Sequence, residues 1–516
     1  MTTKKTSRKS SALPDVPVGL RWLLPTNHYN LMYWLAVGLI LPESAMSKYF
    51  ADCLRTAPGW LPLFRDSVAR DALDAATTDH GMSVLLDIDM TSVSGMVQAV
   101  TASGDLIECH FPAGVPRAVT CILVPAPLPS HFIRQVSFAT KDALENYRLK
   151  REESANLATF DVPLVVEPFP TTVYMDQPWM QANSLPTLSP LPVKEALQQG
   201  AMLASLHHIG NRGELSLAVA KAAFANADGF MLESAEFRDA MNQSLSHGVN
   251  NPALADFRIR LYWGVVDHMR GLNNDKIGVE RAVLDYLEHT AANDEKNRSD
   301  LKDFANDLQQ LLGMGGSTGR ELFAKYKGAF AHALLLLFLR KHTDLLFDFD
   351  TPSIVISEAD QLAAAILFSI RENWKSTPER LRKVPGLYPA VTQRMAKSLH
   401  QAIGTDMDMG AIEPYRTLRE LFLVDGERWS PPQKLAALEL ARTMKWIDAI
   451  ETRVQLGKES YRLEWTAGGM QIVLPGDVKA VSTEVRVDSL LNYLAQLRWP
   501  IDPKIEKETR VTLQGK

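Results

Sequence analysis

Between residues 83 and 138, five strand-like segments follow one another so closely that they constrain the sheet they can build. Ser83–Asp89, Met96–Thr101, Asp105–Phe111, Ala118–Val124 and His131–Phe138 alternate in polarity or are rich in β-branched residues. Ser94-Gly95, Ser103-Gly104, Ala113-Gly114 and Pro125-Ala126-Pro127 separate them, which is turn chemistry at hairpin or short-loop spacing. A parallel crossover needs about a dozen residues or more, so the sheet is predicted to be mainly antiparallel.

The flanks complete an α+β domain over 18–185. Gly19 to Leu24 reads as a short strand stopped by Pro25. Thr26 or Asn27 then caps a helix running to Val37, with Gly38 as its stop. A second helix is predicted over Ser44 to Leu54, a charged one over Lys141 to Glu153, and a strand near Val162 to Val166. Residues 1–17 carry Lys4, Lys5, Arg8 and Lys9 among Ser and Thr with no apolar run behind them, so they read as a disordered basic tail and not as a secretory signal.

Pro168 to Pro192 is rich in Pro, Thr and Gln and suits a linker. Beyond it, 190–446 reads as a large α-helical domain. Its helices include Val193–His208, Thr318–Leu346, Glu358–Lys375, Ala390–Ile403, Tyr415–Leu423 and Pro432–Trp446. Ser357-Glu358-Ala359-Asp360 ahead of an apolar run is a capping-box pattern. The last stretch, 447–516, is predicted to be a small β/α element, with a hairpin turning at Gly468-Gly469 and a helix near Val487–Leu497. The whole is an α+β multi-domain chain: an antiparallel sheet with helices, a central helical domain and a C-terminal β-hairpin/helix element.

Composition narrows the functional classes. The 516 residues are 46% apolar and 22% charged, with 55 Lys and Arg against 60 Asp and Glu, which excludes a polycationic or mainly disordered protein. Cys53, Cys109 and Cys121 are too few and too scattered for a disulfide framework or a zinc site, so reduced thiols in a cytoplasmic protein are expected. The apolar runs 31–41 and 329–339 are about half the ~20 residues a spanning helix needs, so no membrane association is expected.

Several strings imitate catalytic motifs. Gly315-Gly316-Ser317-Thr318-Gly319 matches a nucleophile elbow, but both flanks are helical by pattern and the elbow needs a strand before it. A helix–helix joint is the reading that fits. Asp87-Ile88-Asp89 could hold a divalent metal, yet Gly81-Met82-Ser83 lies too close to supply the loop of a nucleotidyltransferase; a solvated face is expected. Arg394 and His400 are six apart on one helix, a poor helical match, and His207-His208 is expected to sit charged at a helix C-terminus. No metal site and no cofactor are expected.

One patch offers a binding surface. Arg371, Lys375, Arg380, Arg382, Lys383, Arg394 and Lys397 stand against Glu372 and Glu379, a net +5 within 27 residues. Trp374 and Tyr388 are interleaved, as phosphate contacts with base stacking would require.

Asn30-Leu31-Met32-Tyr33-Trp34-Leu35-Ala36-Val37-Gly38-Leu39, with His28 just before it, resembles the Asn-Leu-x-x-Ile-Leu-x-x-Gly-Leu helix near the start of DarT-like ADP-ribosyltransferases. The resemblance covers about a dozen residues. It implies a nucleotide-acting enzyme, although no matching NAD-binding arginine or catalytic glutamate can be placed.

Taken together, these readings favour a non-enzymatic subunit or scaffold of a cytosolic multi-protein complex, since long helical regions offer surfaces to other protein subunits without needing a motif. Large motif-poor proteins are common among accessory components of prokaryotic antiviral defence systems, which makes that the expected setting although no residue points to it. The alternative is a nucleic-acid- or nucleotide-acting enzyme, a nuclease or an ADP-ribosyltransferase, with the basic patch holding nucleic acid.

Overall fold

The computed structural model describes residues 21–410 apart from short internal stretches, of which 339–356 is the longest, together with strands between 454 and 473. The basic tail at 1–17, the helices expected at 415–423, 432–446 and 487–497, and Lys383 lie outside the described residues. Two compact units emerge. The first is Met1–Trp34, Ile40–Ser154 and Asp161–Pro190; the second is Leu35–Leu39, Ala155–Phe160 and Leu191–Lys516.

The chain opens with β1 (Trp22–Asn27), α1 (His28–Val37), β2 (Leu39–Ile40), β3 (Trp60–Arg65), β4 (Val68–Ala69) and α2 (Arg70–Ala75), which belong to the first unit apart from Leu35–Leu39. There follow β5 (Ser83–Ile88), β6 (Gly95–Val100), β7 (Leu106–Phe111), β8 (Cys121–Pro125), β9 (Leu128–Pro129) and β10 (Ile133–Phe138). Helix α3 (Lys141–Glu153), β11 (Leu164–Val166) and β12 (Thr171–Thr172) complete it. Eight strands form one sheet in the order β11-β10-β5-β1-β3-β8-β6-β7. Every neighbouring pair is antiparallel except β10 and β11. The mainly antiparallel pairing is the one the sequence predicts, but of the short links between these strands only Ser103-Gly104 joins sheet neighbours, β6 and β7.

Two local expectations are overturned. Pro25 does not stop the first strand: β1 continues to Asn27 along β5, with Pro25 opposite Leu85. A strand residue points its nitrogen and carbonyl to the same side. The Pro25 carbonyl accepts from the Cys53 thiol (3.3 Å), so the missing N–H falls on the side where pairing to β3 has ended at Leu23. The predicted helix over 44–54 is instead a loop between short 3₁₀ turns at Glu43–Ala45 and Cys53–Thr56.

In the second unit the helices are α4 (Val193–Ile209), α5 (Glu214–Ala225), α6 (Ala235–Ser246), α7 (Pro252–Gly271), α8 (Val279–Asn293) and α9 (Arg298–Gly313). They continue with α10 (Ser317–Lys325), α11 (Ala329–Phe338), α12 (Glu358–Arg371), α13 (Glu379–Arg382) and α14 (Leu387–Ala402). The helix expected over 318–346 is broken at Gly328, whose φ of +122° no helix accommodates. Helix α12 ends at Arg371, short of the predicted Lys375. Its start is the capping box the sequence announces: the Ser357 hydroxyl accepts from the Asp360 N–H (3.1 Å) and donates to Oδ2 of Asp360 (2.7 Å).

His332 of α11 reinforces that cap. Nδ1 donates to Asp360 (2.9 Å) and Nε2 to the Phe323 carbonyl (3.1 Å), which suits the protonated ring. Burial opposes the charge, but the Asp360 carboxylate outweighs it and holds His332 above the usual histidine range.

Gly38 combines a close approach with a left-handed backbone. Its φ is +82°, and a Cβ there would lie 2.5 Å from Cγ2 of Thr392 and 3.2 Å from Nε1 of Trp374. Gly38→Ala therefore combines left-handed strain with a clash against a β-branched side chain. It should lower stability by about 2 kcal/mol, read as a shift in the urea midpoint.

His207 corrects a further expectation. It lies half-buried in the last turn of α4, its ring edge-on to Phe224 at 6.2 Å. Burial, with the neighbouring His208 charge, pushes its pKa down to about 4, so it is neutral where a charged cap was expected. With a folded pKa below the ~6.5 of an unfolded chain, the unfolded state binds more protons between those values. Stability is then lost as pH falls from ~6.5 towards about 4. His207→Gln should remove about 2 kcal/mol of that acid sensitivity, measured by comparing thermal midpoints of the two proteins across this window.

Near the C-terminus, β13 (Val454–Leu456), β14 (Glu459–Thr466) and β15 (Gly469–Val473) form a three-stranded antiparallel sheet. Thr466 pairs with Gly469, so Gly469, expected in the turn, is the first residue of β15. Among the described residues no helix is long and apolar enough to cross a membrane.

Candidate functional site

The densest polar chemistry of the first unit gathers where β1 passes into α1. Thr26, Asn27, His28 and Asn30 are all buried there, although they follow an apolar strand and precede an apolar helix. Buried polar groups need partners, and these find theirs in the loop 43–56, in the Ala76 carbonyl, which takes the Asn27 amide, and in Met82. Asp52 is the hub. Its Oδ2 accepts from the Thr26 hydroxyl (2.5 Å) and the Asn30 amide (2.9 Å), and its Oδ1 from the Leu54 N–H (2.9 Å) and the Tyr49 hydroxyl. Burial pushes the Asp52 carboxyl up against the opposing pull of these donors, and burial beside it raises the Tyr49 phenol, which stays protonated and donates.

Asn30 also grips the loop backbone, donating to the Phe50 carbonyl (2.7 Å) and accepting from the Phe50 N–H (3.0 Å). The effect is to fix Phe50 against Tyr29, their ring centroids 4.4 Å apart and stacked at 27°. His28 lies on Tyr29 at 3.9 Å. Its Nδ1 accepts from the Met82 N–H (3.0 Å) and its own N–H donates to the Met82 carbonyl (2.9 Å), so the remaining ring hydrogen is on Nε2. Nζ of Lys150, from α3, is 3.3 Å from that Nε2 and donates to the Tyr29 hydroxyl (2.7 Å). Burial, and then the Lys150 charge, push His28 down to about 4. Gly81 permits this crossing: a Cβ would overlap the Asn27 side chain.

The outward result is three half-buried rings, each with a cation over it. Lys150 stands 4.6 Å from the Tyr29 centroid, Lys48 5.0 Å from Phe50 and Arg55 5.5 Å from Tyr49. Glu43 pairs loosely with Arg55 (3.6 Å). Rings for stacking and cations for phosphates are thus presented side by side.

Within the basic stretch read from the sequence, the described side chains differ in exposure. Arg371 pairs with the buried Glu280 of α8 (2.9 Å). Arg382 is buried, Lys375 and Arg394 are half-buried, and Lys397 is exposed. Arg380 lies on α13. Trp374 and Tyr388 are in the core, their rings 6.0 Å apart, and the Tyr388 hydroxyl donates to the Leu35 carbonyl (3.1 Å). The interleaved aromatics therefore serve packing and present no face to a base.

The imitative motifs also resolve. Helix α9 precedes the Gly315–Gly319 string and α10 begins at Ser317, so among the described residues both flanks are helical. Asp87 is buried, not solvated, and accepts from Nε of Arg21 (2.9 Å), while Asp89 accepts from Arg134 (2.7 Å) and the Thr91 hydroxyl (2.6 Å). His400 is buried with Nδ1 2.6 Å from the Thr405 hydroxyl. Among the described residues no group of three His, Cys, Asp or Glu is placed to hold a metal. All three cysteines are unpaired.

Lys48, Tyr49, Phe50, Asp52 and Lys150 escaped the sequence reading. The signal that could have found them is the polar run Thr26–Asn30 between two apolar segments, since buried hydrogen-bonding residues there demand partners. Comparison with protein-family models, curated proteins and solved structures finds no match.

Proposed function

We propose that the first unit binds single-stranded nucleic acid on the Tyr29–Phe50–Tyr49 face, and that the chain is a non-enzymatic, nucleic-acid-binding subunit of a larger cytoplasmic assembly. The observation that carries this reading is the row of three rings, each beneath a cation. A base that stacks on a ring displaces the cation towards the adjoining phosphate, so both groups gain a better partner. More than one ring favours a strand over a single nucleotide. Lys150 supports the reading further, because its half-buried ammonium stands over the Tyr29 ring, where a phosphate beside a stacked base would find a cation. Three unpaired thiols support a reducing compartment.

Fluorescence anisotropy of a labelled single-stranded oligonucleotide tests it. Phe50→Ala should weaken binding about tenfold or more, since stacking contributes ~1–3 kcal/mol per base. Lys48→Ala and Lys150→Ala should each lower the salt slope by ~0.7. Charge reversal at Arg380 should leave affinity unchanged. Saturable binding that survives Phe50→Ala but is abolished by reversal at Arg380 would move the site to the helical unit and sink this proposal, as would no saturable binding at all.

A further inference from the structure

Residues 46–52 have no regular secondary structure and run between the 3₁₀ turns at Glu43–Ala45 and Cys53–Thr56. In a helix or a sheet, other backbone groups would take up the N–H and carbonyl of Phe50; here one side chain does. Oδ1 of Asn30 accepts from the Phe50 N–H (3.0 Å), and Nδ2 donates to the Phe50 carbonyl (2.7 Å). An amide that takes both main-chain groups of one residue imitates the bonded pair of an antiparallel ladder and restrains the backbone on both sides of the Cα. The other Nδ2 hydrogen goes to Oδ2 of Asp52 (2.9 Å), so both donors of the amide are used. Tyr49 and Asp52 bond to each other across Phe50, which closes the loop on itself but leaves the main chain of Phe50 to Asn30. Asn30 is fully buried on α1, out of reach of a ligand at the surface. What reaches the surface is the half-buried Phe50 ring, stacked on Tyr29 and beneath Lys48.

We propose that Asn30 is a positioning residue for nucleic acid: it holds Phe50 in the orientation that receives a base before the strand arrives. The proposal rests on the reading of the Tyr29–Phe50–Tyr49 face as a single-strand site. A ring on an unrestrained loop samples many backbone and side-chain states, and binding must then order it, which lowers affinity. Asn30 makes the receiving orientation the dominant one in the free protein. Because that restraint acts on the free chain, its loss reduces the fraction competent to bind and slows association. Loss of a ring that touches the base instead speeds dissociation, as most interface substitutions do. Kinetics therefore separates a residue that positions from a residue that contacts.

The test is stopped-flow binding of a fluorescein-labelled oligothymidylate to the full chain. Asn30→Ala should slow association about fivefold and leave dissociation within about twofold of the parent rate. Phe50→Ala should act mainly by raising the dissociation rate. In the Phe50→Ala background, Asn30→Ala should have no further effect, since no ring remains for it to position. Amide exchange on the same samples follows the fold: the Phe50 N–H should exchange faster in Asn30→Ala while Leu86 in β5 keeps its protection. Loss of protection at Leu86, with affinity falling in both backgrounds, would assign Asn30 to stability alone and overturn the proposal. Association at the parent rate in Asn30→Ala, with Phe50→Ala still weakening binding, would also overturn it and leave the single-strand reading standing. No saturable binding by the unaltered chain would end both.

Discussion

Asp52→Ala is expected to destabilise the first unit by about 4 kcal/mol, more than any exposed substitution in it. The carboxylate serves four donors, from Thr26, Asn30, Leu54 and Tyr49, inside a buried pocket of the chain. Alanine removes all four acceptor contacts at once. Each buried donor left unmade costs about 1–3 kcal/mol; the two hydroxyls can turn elsewhere, but the Leu54 N–H and the Asn30 amide are fixed. Asp52→Asn keeps the volume and one oxygen, so it should cost about half as much. Because two units need not unfold together, the readout should be local. Amide exchange at Phe50 and Leu54 should accelerate far more than exchange in α4. Equal protection in mutant and parent would show that the loop 43–56 is held by its apolar contacts alone.

The same loop shows where sequence reading stops. Tyr49, Phe50, Cys53 and Leu54 fall at helical spacing, so periodicity calls for a helix. The loop wins because Asp52, Thr26 and Asn30 satisfy one another only when the backbone leaves the helical path, and those partners are more than twenty residues away. By contrast, β6 and β7 were legible as a pair because the turn between them is local: Ser103-Gly104 reverses the chain, whereas the links at Ser94-Gly95 and Ala113-Gly114 join strands that are not sheet neighbours. The capping box at Ser357 was legible for the same reason. Pro25 misled because one proline cannot tell an edge from an inner strand; what decides is how far β3 extends beside it. The candidate site itself was legible only as an unexplained polar run at Thr26–Asn30, since its rings and cations come from three separate segments.

In the basic stretch 371–397, Arg371 supplies the second large effect. Arg371→Ala should cost about 3–5 kcal/mol, because Glu280, 4% exposed in its side chain, loses the guanidinium 2.9 Å away. Removing one partner of a buried pair takes that counterion from the other charge, whereas replacing both by apolar residues is often neutral. The double variant Glu280→Leu with Arg371→Met should therefore recover most of the stability in urea unfolding, although it deletes more charge. Lys397→Ala, on an exposed side chain of α14, should move stability by no more than about 0.5 kcal/mol. If Arg371 served nucleic acid, Arg371→Ala would instead lower affinity and salt dependence with the unfolding midpoint intact, and the double variant would rescue nothing. The contrast separates a cation spent on the fold from one held for a ligand, a distinction that residue spacing cannot make, because the deciding carboxylate lies on another helix.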